Sequence, residues 1–180
     1  RIRILLSFII PGGGTLNSPH LLLAGSNPRR IHQNLSGILD QASIDEINKE
    51  IKKNCVQLFD LGMKHFHFAR RQPSRQWRQT ISRLYFASYC ISRSIRLGVK
   101  GEYSQEVKDH NKIGNLPKDF PNQSTYANRL GVLRDDRNLA DYDHTATQRD
   151  LIISRQDALV LVQDFVSDAR PYLISRGIPV

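Results

Sequence analysis

The chain has 180 residues, 39% of them apolar and 24% charged, which suffices for one domain with its own core and matches an ordinary globule rather than a disordered or fibrous chain. No apolar run approaches the roughly 20 residues a membrane span needs, and two widely separated cysteines, Cys55 and Cys90, give neither a disulfide framework nor a Cys-x-x-Cys metal knuckle. The formal net charge of +9 and a pI of about 9.9 suit an anionic partner such as nucleic acid, although a soluble basic protein carries the same signature.

Residues 1–40 differ from the rest. Arg1 to Ile10 is a short apolar run with a basic start, broken by Pro11 and the glycines Gly12, Gly13 and Gly14. It is too short to span a membrane and lacks the small-residue cleavage site of a signal peptide. It reads as an upstream segment or an arm, with a single edge strand as the alternative. Residues 41–180 read as the helical domain.

The first helix is expected from Ser43, where Ser43 and Glu46 have capping-box spacing. Ile44, Ile47, Ile51, Cys55, Leu58, Phe59, Gly62 and Phe66 follow, mostly at steps of three and four, one helical face. Pro73 interrupts it. A second helix runs from about Ser74 to Leu97, with Trp77, Ile81, Leu84, Tyr85, Ser88, Ile91 and Ile95 on one face and Gly98 as its stop. A long connection follows, punctuated by Gly101, Gly114, Pro117 and Pro121, with a short helix around Ser104 to Ile113. A third helix starts near Ser124. A fourth starts at the capping pair Ser154 and Asp157, and Pro171 bends its last turn. No strand-like alternation appears after residue 40, so the fold class is all-α, a bundle of four to five helices. Both cysteines fall inside apolar patterns, as core thiols of a reducing, cytoplasmic compartment do.

The densest polar stretch is Leu133 to His144. Arg137 stands four residues after Leu133 and three before Ala140, on the buried side of its helix. A buried guanidinium needs a partner, because its desolvation costs several kcal/mol. Either it pairs structurally, or its face opens into a cleft or dimer seam that binds an anion. His144 follows seven residues later. If the helix continues that far, the two side chains share a face about 10 Å apart. Imidazole can move a proton near neutral pH, and guanidinium can grip phosphate. Asn138 and Asp141 can orient the imidazole or the substrate.

Arg-Asn-Leu-Ala-Asp-Tyr-Asp at 137 to 143 resembles the terminal-helix signature of HEPN domains. Ser-Arg-Leu-Tyr-Phe-Ala-Ser-Tyr at 82 to 89 is similar to the family's second signature. The intervening Asp109 and His110, with Ile113, Leu116 and Pro117, resemble a subset of members. The resemblance covers about residues 43 to 175. It implies an up-and-down helical bundle, usually a homodimer, and in many members a metal-independent ribonuclease with an Arg-x4–6-His motif. Arg137 and His144 match that motif, and Asn138 matches the polar residue that commonly follows the Arg. In active members the 2′-hydroxyl attacks the adjacent phosphate and leaves a 2′,3′-cyclic phosphate. Arg137 would then stabilise the phosphate and His144 would act as general base or acid.

Other residues bear on the same function. Arg70, Arg71, Arg75 and Arg78 cluster around Pro73 and Trp77, as RNA-backbone contacts or as a solvated loop. His110 either lines the cleft or makes a structural hydrogen bond. Tyr142, with Tyr85, Tyr89 and Tyr126, suggests base stacking, or core and rim packing. Arg83 is expected to pair with Asp135, Asp136 or Asp141. His65 and His67 are two apart, too badly placed on a helix for a metal site. No metal or cofactor motif appears. The expected function is therefore an endoribonuclease of a toxin–antitoxin or defence system, with RNA, a second copy and an antitoxin protein as partners and no membrane. The alternatives are a non-catalytic HEPN-like dimer that binds RNA, a nucleotide or a protein, and an interaction scaffold. The scaffold would bury Arg137 in a carboxylate pair and expose an apolar patch elsewhere.

Overall fold

The computed structural model describes residues 39–104 and 107–180. The reading of residues 1–40 as an arm therefore lies outside the described residues, apart from its last two positions. Four α-helices carry the fold: α1, Gln41–Arg70; α2, Trp77–Ile95; α3, Gln123–Tyr142; and α4, Arg155–Ile174. No strand occurs among the described residues.

Helix α1 starts a turn earlier than its Ser43–Glu46 spacing suggests. Asp40 is the N-cap, and its carboxylate accepts the Ser43 amide at 2.7 Å. A carboxylate there satisfies an orphan donor and suits the positive end of the helix dipole. Hydrogen bonding from Ser43, its side chain first and its backbone amide second, holds the Asp40 carboxyl below its usual range. Helix α4 starts as expected: Ser154 accepts the Asp157 amide at 3.1 Å and donates back to its carboxylate at 2.6 Å.

The helices run up and down. Ser94 of α2 reaches the Cys55 carbonyl in mid-α1 at 2.8 Å, while Arg83 reaches His65 later in α1 at 3.3 Å. Tyr126 near the start of α3 meets Asp168 late in α4 at 2.7 Å, and Asp136 further along α3 holds the chain just before α4. Helix α2 is central and packs against the other three. Its sequence shows one apolar face, yet twelve of its nineteen residues are buried. Small hydroxyl residues make this possible. Ser88, Ser92 and Ser94 are buried, and each donates to a carbonyl, of Leu84, Ile113 and Cys55. Gly62 lets α1 approach closely: a Cβ there would stand 2.7 Å from Ile91 Cγ1 and 2.9 Å from the Ala87 carbonyl.

Gly98 is not the stop of α2. The chain continues through a π-helical turn, Arg96–Lys100, and ends at Gly101, whose φ of 66° is the left-handed cap conformation. Gly98 packs inside that turn against Ile178 and Cys55. The extra residue of a π-turn re-aims the side chains around it, and Arg96 there is 2% exposed. Both cysteines are buried, with no disulfide between them, and burial pushes the Cys90 thiol up to about 11.

Candidate functional site

Helix α3 projects Arg137 toward α2, where Tyr85 and Phe86 lie one residue apart. The guanidinium carbon sits 5.5 Å from the Tyr85 ring centre, 5.3 Å from Phe86 and 5.2 Å from Tyr142. Three ring faces attract the cation through their quadrupoles and shield it from water. The Arg137 side chain keeps 17% exposure, so it is largely covered yet reachable.

Its polar contacts are local. Asp141, one turn on, places Oδ2 at 2.7 Å from Nε. The carboxylate lies off the N–H axis, so Nε has no aligned acceptor among the described residues. Nη1 donates to the Asn138 side chain at 3.1 Å. Ser82 of α2 approaches Asp141 at 3.4 Å. Asn138 and Asp141 thus hold Arg137; among the described residues neither has an imidazole bonded to it.

His110 brings an imidazole to both of the α2 rings, while His65 meets Phe86 alone, at 5.7 Å between ring centres. His110 sits on the 3-10 turn Val107–Lys112, and its Nδ1 lies 2.5 Å from the Tyr85 hydroxyl. The His110 ring stacks on Tyr89 at 4.3 Å between centres and meets Phe86 edge-on at 6.4 Å. Its Nε2 has no hydrogen-bond partner among the described residues. Burial lowers the His110 pKa below its ordinary 6.5, helped by the nearby Arg137 charge and partly offset by Asp109. Burial therefore favours the neutral ring. Burial pushes Tyr85 up to about 12, so it remains a phenol that can donate to Nδ1 or accept from it.

A buried ion pair positions this turn. Asp109, 1% exposed, receives Arg96 in a two-pronged bond at 2.9 and 2.7 Å, and the Tyr89 hydroxyl at 3.0 Å. Burial alone would raise the Asp109 carboxyl, but the Arg96 bonds override it and hold it below its usual range. Arg134, on the same side of α3, adds a bond to Asn111 at 3.2 Å.

His144 lies outside this cluster. Helix α3 ends at Tyr142, and Asp143 turns the chain into extended backbone. Two interactions end the helix. The Asp143 carboxylate takes the Thr145 and Ala146 amides at 2.9 and 3.2 Å. Arg78 of α2 donates to the Ala140, Asp143 and Ala146 carbonyls at 2.7, 2.7 and 2.5 Å. The condition for His144 and Arg137 to share a helical face is therefore not met; His144 is exposed in the loop.

The basic cluster divides. Arg70, Arg71 and Arg75 are exposed at the end of α1 and the turn after it. Arg78 instead clamps the end of α3 and packs 4.7 Å from the Trp77 ring. Arg83 pairs with none of the three aspartates expected for it. It contacts His65, and its guanidinium lies 5.4 Å from the Phe68 ring, because the α1–α2 packing turns it away from α3. Asp136 is buried and accepts the Ile152 and Ile153 amides at 2.8 and 2.9 Å, fixing the α3–α4 loop. Sequence reasoning missed Arg96 and Arg134. Arg96 carries no local signal, since its burial depends on the π-turn.

Among the described residues no group of three or more His, Cys, Asp or Glu is placed to hold a metal ion, and no helix is long and apolar enough to cross a membrane. Comparison with family models, curated proteins and solved structures finds no match to the chain.

Proposed function

We propose that the chain is a HEPN-like endoribonuclease in which Arg137 binds the scissile phosphate and His110, rather than His144, moves the proton. The observation that carries this reading is that Arg137 and His110 both pack on Tyr85 and Phe86. The chemistry runs without metal, as the family resemblance implies. The neutral His110 Nε2 takes the 2′-hydroxyl proton, the 2′-oxygen attacks phosphorus, and the P–O5′ bond breaks. The products are a 2′,3′-cyclic phosphate and a 5′-hydroxyl, the leaving oxygen taking its proton from solvent water. Arg137 offsets the charge that builds on the phosphoryl oxygens. General base catalysis by His110 needs Nδ1–H donating to the Tyr85 oxygen, one of the two tautomers the pair allows.

A homodimer belongs to the same reading. Phe68 and Tyr142, 40% and 74% exposed, contact Arg83 and Arg137 respectively. Joining two such surfaces would bring two Arg137–His110 pairs to one cleft that exposed Arg71 and Arg75 extend along RNA. A toxin–antitoxin or defence setting, an antitoxin partner and a cytoplasmic location belong to this proposal.

The deciding experiment incubates a mixed tRNA and messenger RNA pool with the protein in EDTA. Wild type and the Arg137→Ala, His110→Ala and His144→Ala variants are compared. Cleavage to cyclic phosphate ends by wild type and His144→Ala, lost in the other two, supports the proposal. Loss only with His144→Ala would return the proton transfer to His144. A second reading, an RNA-binding dimer that does not cut, is favoured by the Asp141 carboxylate at 2.7 Å from Arg137, which competes with phosphate. RNA retention without cleavage by any form would select it.

A further inference from the structure

A groove of about 410 Å³ opens between the end of α1 and the second half of α4. We infer that this groove binds a small organic phosphate, a phosphomonoester carried on an apolar or aromatic body. Its size falls within the roughly 300–1,000 Å³ typical of small-molecule sites.

The lining divides by chemistry. Met63, Phe66, Val166 and Pro171 form an apolar part, while Arg70, Arg170 and His67 supply cations or an imidazole. No carboxylate lines the groove. Arg70 comes from α1 and Arg170 from α4, so guanidinium groups approach from both walls. Each is braced by an aromatic ring, Arg70 at 5.6 Å from Phe66 and Arg170 at 4.8 Å from Phe59. Neither makes an ion pair among the described residues. Two braced guanidiniums without carboxylates suit a phosphate, whose oxygens accept several N–H bonds at once.

A neutral polar wall completes the groove. Gln163 and Ser167 stand one turn apart on α4, and Ser167 donates back to the Gln163 carbonyl at 3.0 Å. Pro171 has no N–H, so the Ser167 carbonyl on this wall lacks its helical donor and is available to a ligand hydroxyl or amide. An apolar floor beside a cationic rim favours a phosphate with an apolar body over the free ion.

The test follows the backbone amides of His67, Gln163 and Ser167 by NMR while the full chain is titrated with phenyl phosphate, phenol or inorganic phosphate. The expected result is saturable movement of those amides with phenyl phosphate, weaker binding of inorganic phosphate, and none of phenol. Arg70→Gln, at an exposed position that spares the core, should weaken phenyl phosphate about tenfold or more. Arg71→Gln, next in sequence but outside the groove, should leave it unchanged. Equal losses in both variants, equal affinity for phenyl phosphate and inorganic phosphate, or no movement at millimolar ligand would each overturn the inference. RNA cleavage plays no part in this readout, so its outcome is separate from that of the ribonuclease proposal.

Discussion

The Tyr85 hydroxyl and His110 Nδ1 lie 2.5 Å apart, which ties the His110 imidazole to the central helix of the bundle. Tyr85→Phe removes that tie without removing the ring. RNA cleavage should fall by about tenfold or more as the imidazole loses its orientation. Stability should fall by only about 1 kcal/mol, the usual net value of one hydrogen bond. Rates and urea unfolding measured on the same sample separate the two effects. An unchanged rate would remove His110 from the mechanism.

The pH dependence follows from the lowered His110 pKa. The active form is the neutral ring, so cleavage should rise with pH along a limb whose midpoint lies below 6.5. A limb centred above 6.5 would contradict the burial of the ring.

The Arg96–Asp109 pair sets the stability of the 3-10 turn. Asp109→Asn leaves a buried guanidinium without its counter-charge and should cost about 3–5 kcal/mol in urea unfolding. Acid should act in the same direction. The folded carboxyl has the lower pKa, so the unfolded chain binds the proton more readily. The stabilisation is present above the unfolded value of about 3.8 and is lost as pH falls through the lower folded value. His110, also lowered on folding, adds a loss of the same sign beginning near its ordinary 6.5. Stability that rose on acidification would refute both assignments.

Arg78 separates structure from RNA binding. Its three carbonyl bonds predict that Arg78→Ala costs about 2 kcal/mol and increases amide exchange at Thr145 and Ala146, whose loop it holds. Arg75→Ala, at an exposed position, should leave unfolding unchanged and flatten the salt dependence of RNA binding by about one ion. The reverse pattern would assign RNA contact to Arg78.

Gly62 tests the closeness of α1 and α2. A side chain there meets the Ala87 carbonyl, which cannot swing aside, so Gly62→Val should cost about 1–3 kcal/mol or more. A thermal midpoint equal to wild type would show that the helices can separate at this point.

The amino-acid sequence by itself determined the helices, because capping and apolar periodicity act within a few residues. Ser154 and Asp157 mark the start of α4, and the Ile44 to Phe66 spacing marks the buried face of α1. It also placed Arg137 near a covered face, since Leu133 and Ala140 bracket it one turn away on each side. Tertiary structure decided which imidazole accompanies that arginine. His110 is 27 positions away in sequence, and Tyr85, Tyr89 and the Arg96–Asp109 pair bring it in. His144 is only seven positions away, yet Arg78 of another helix and the Asp143 turn end α3 before reaching it. Local spacing carries no trace of that competition, because a helix ends where distant donors claim its last carbonyls.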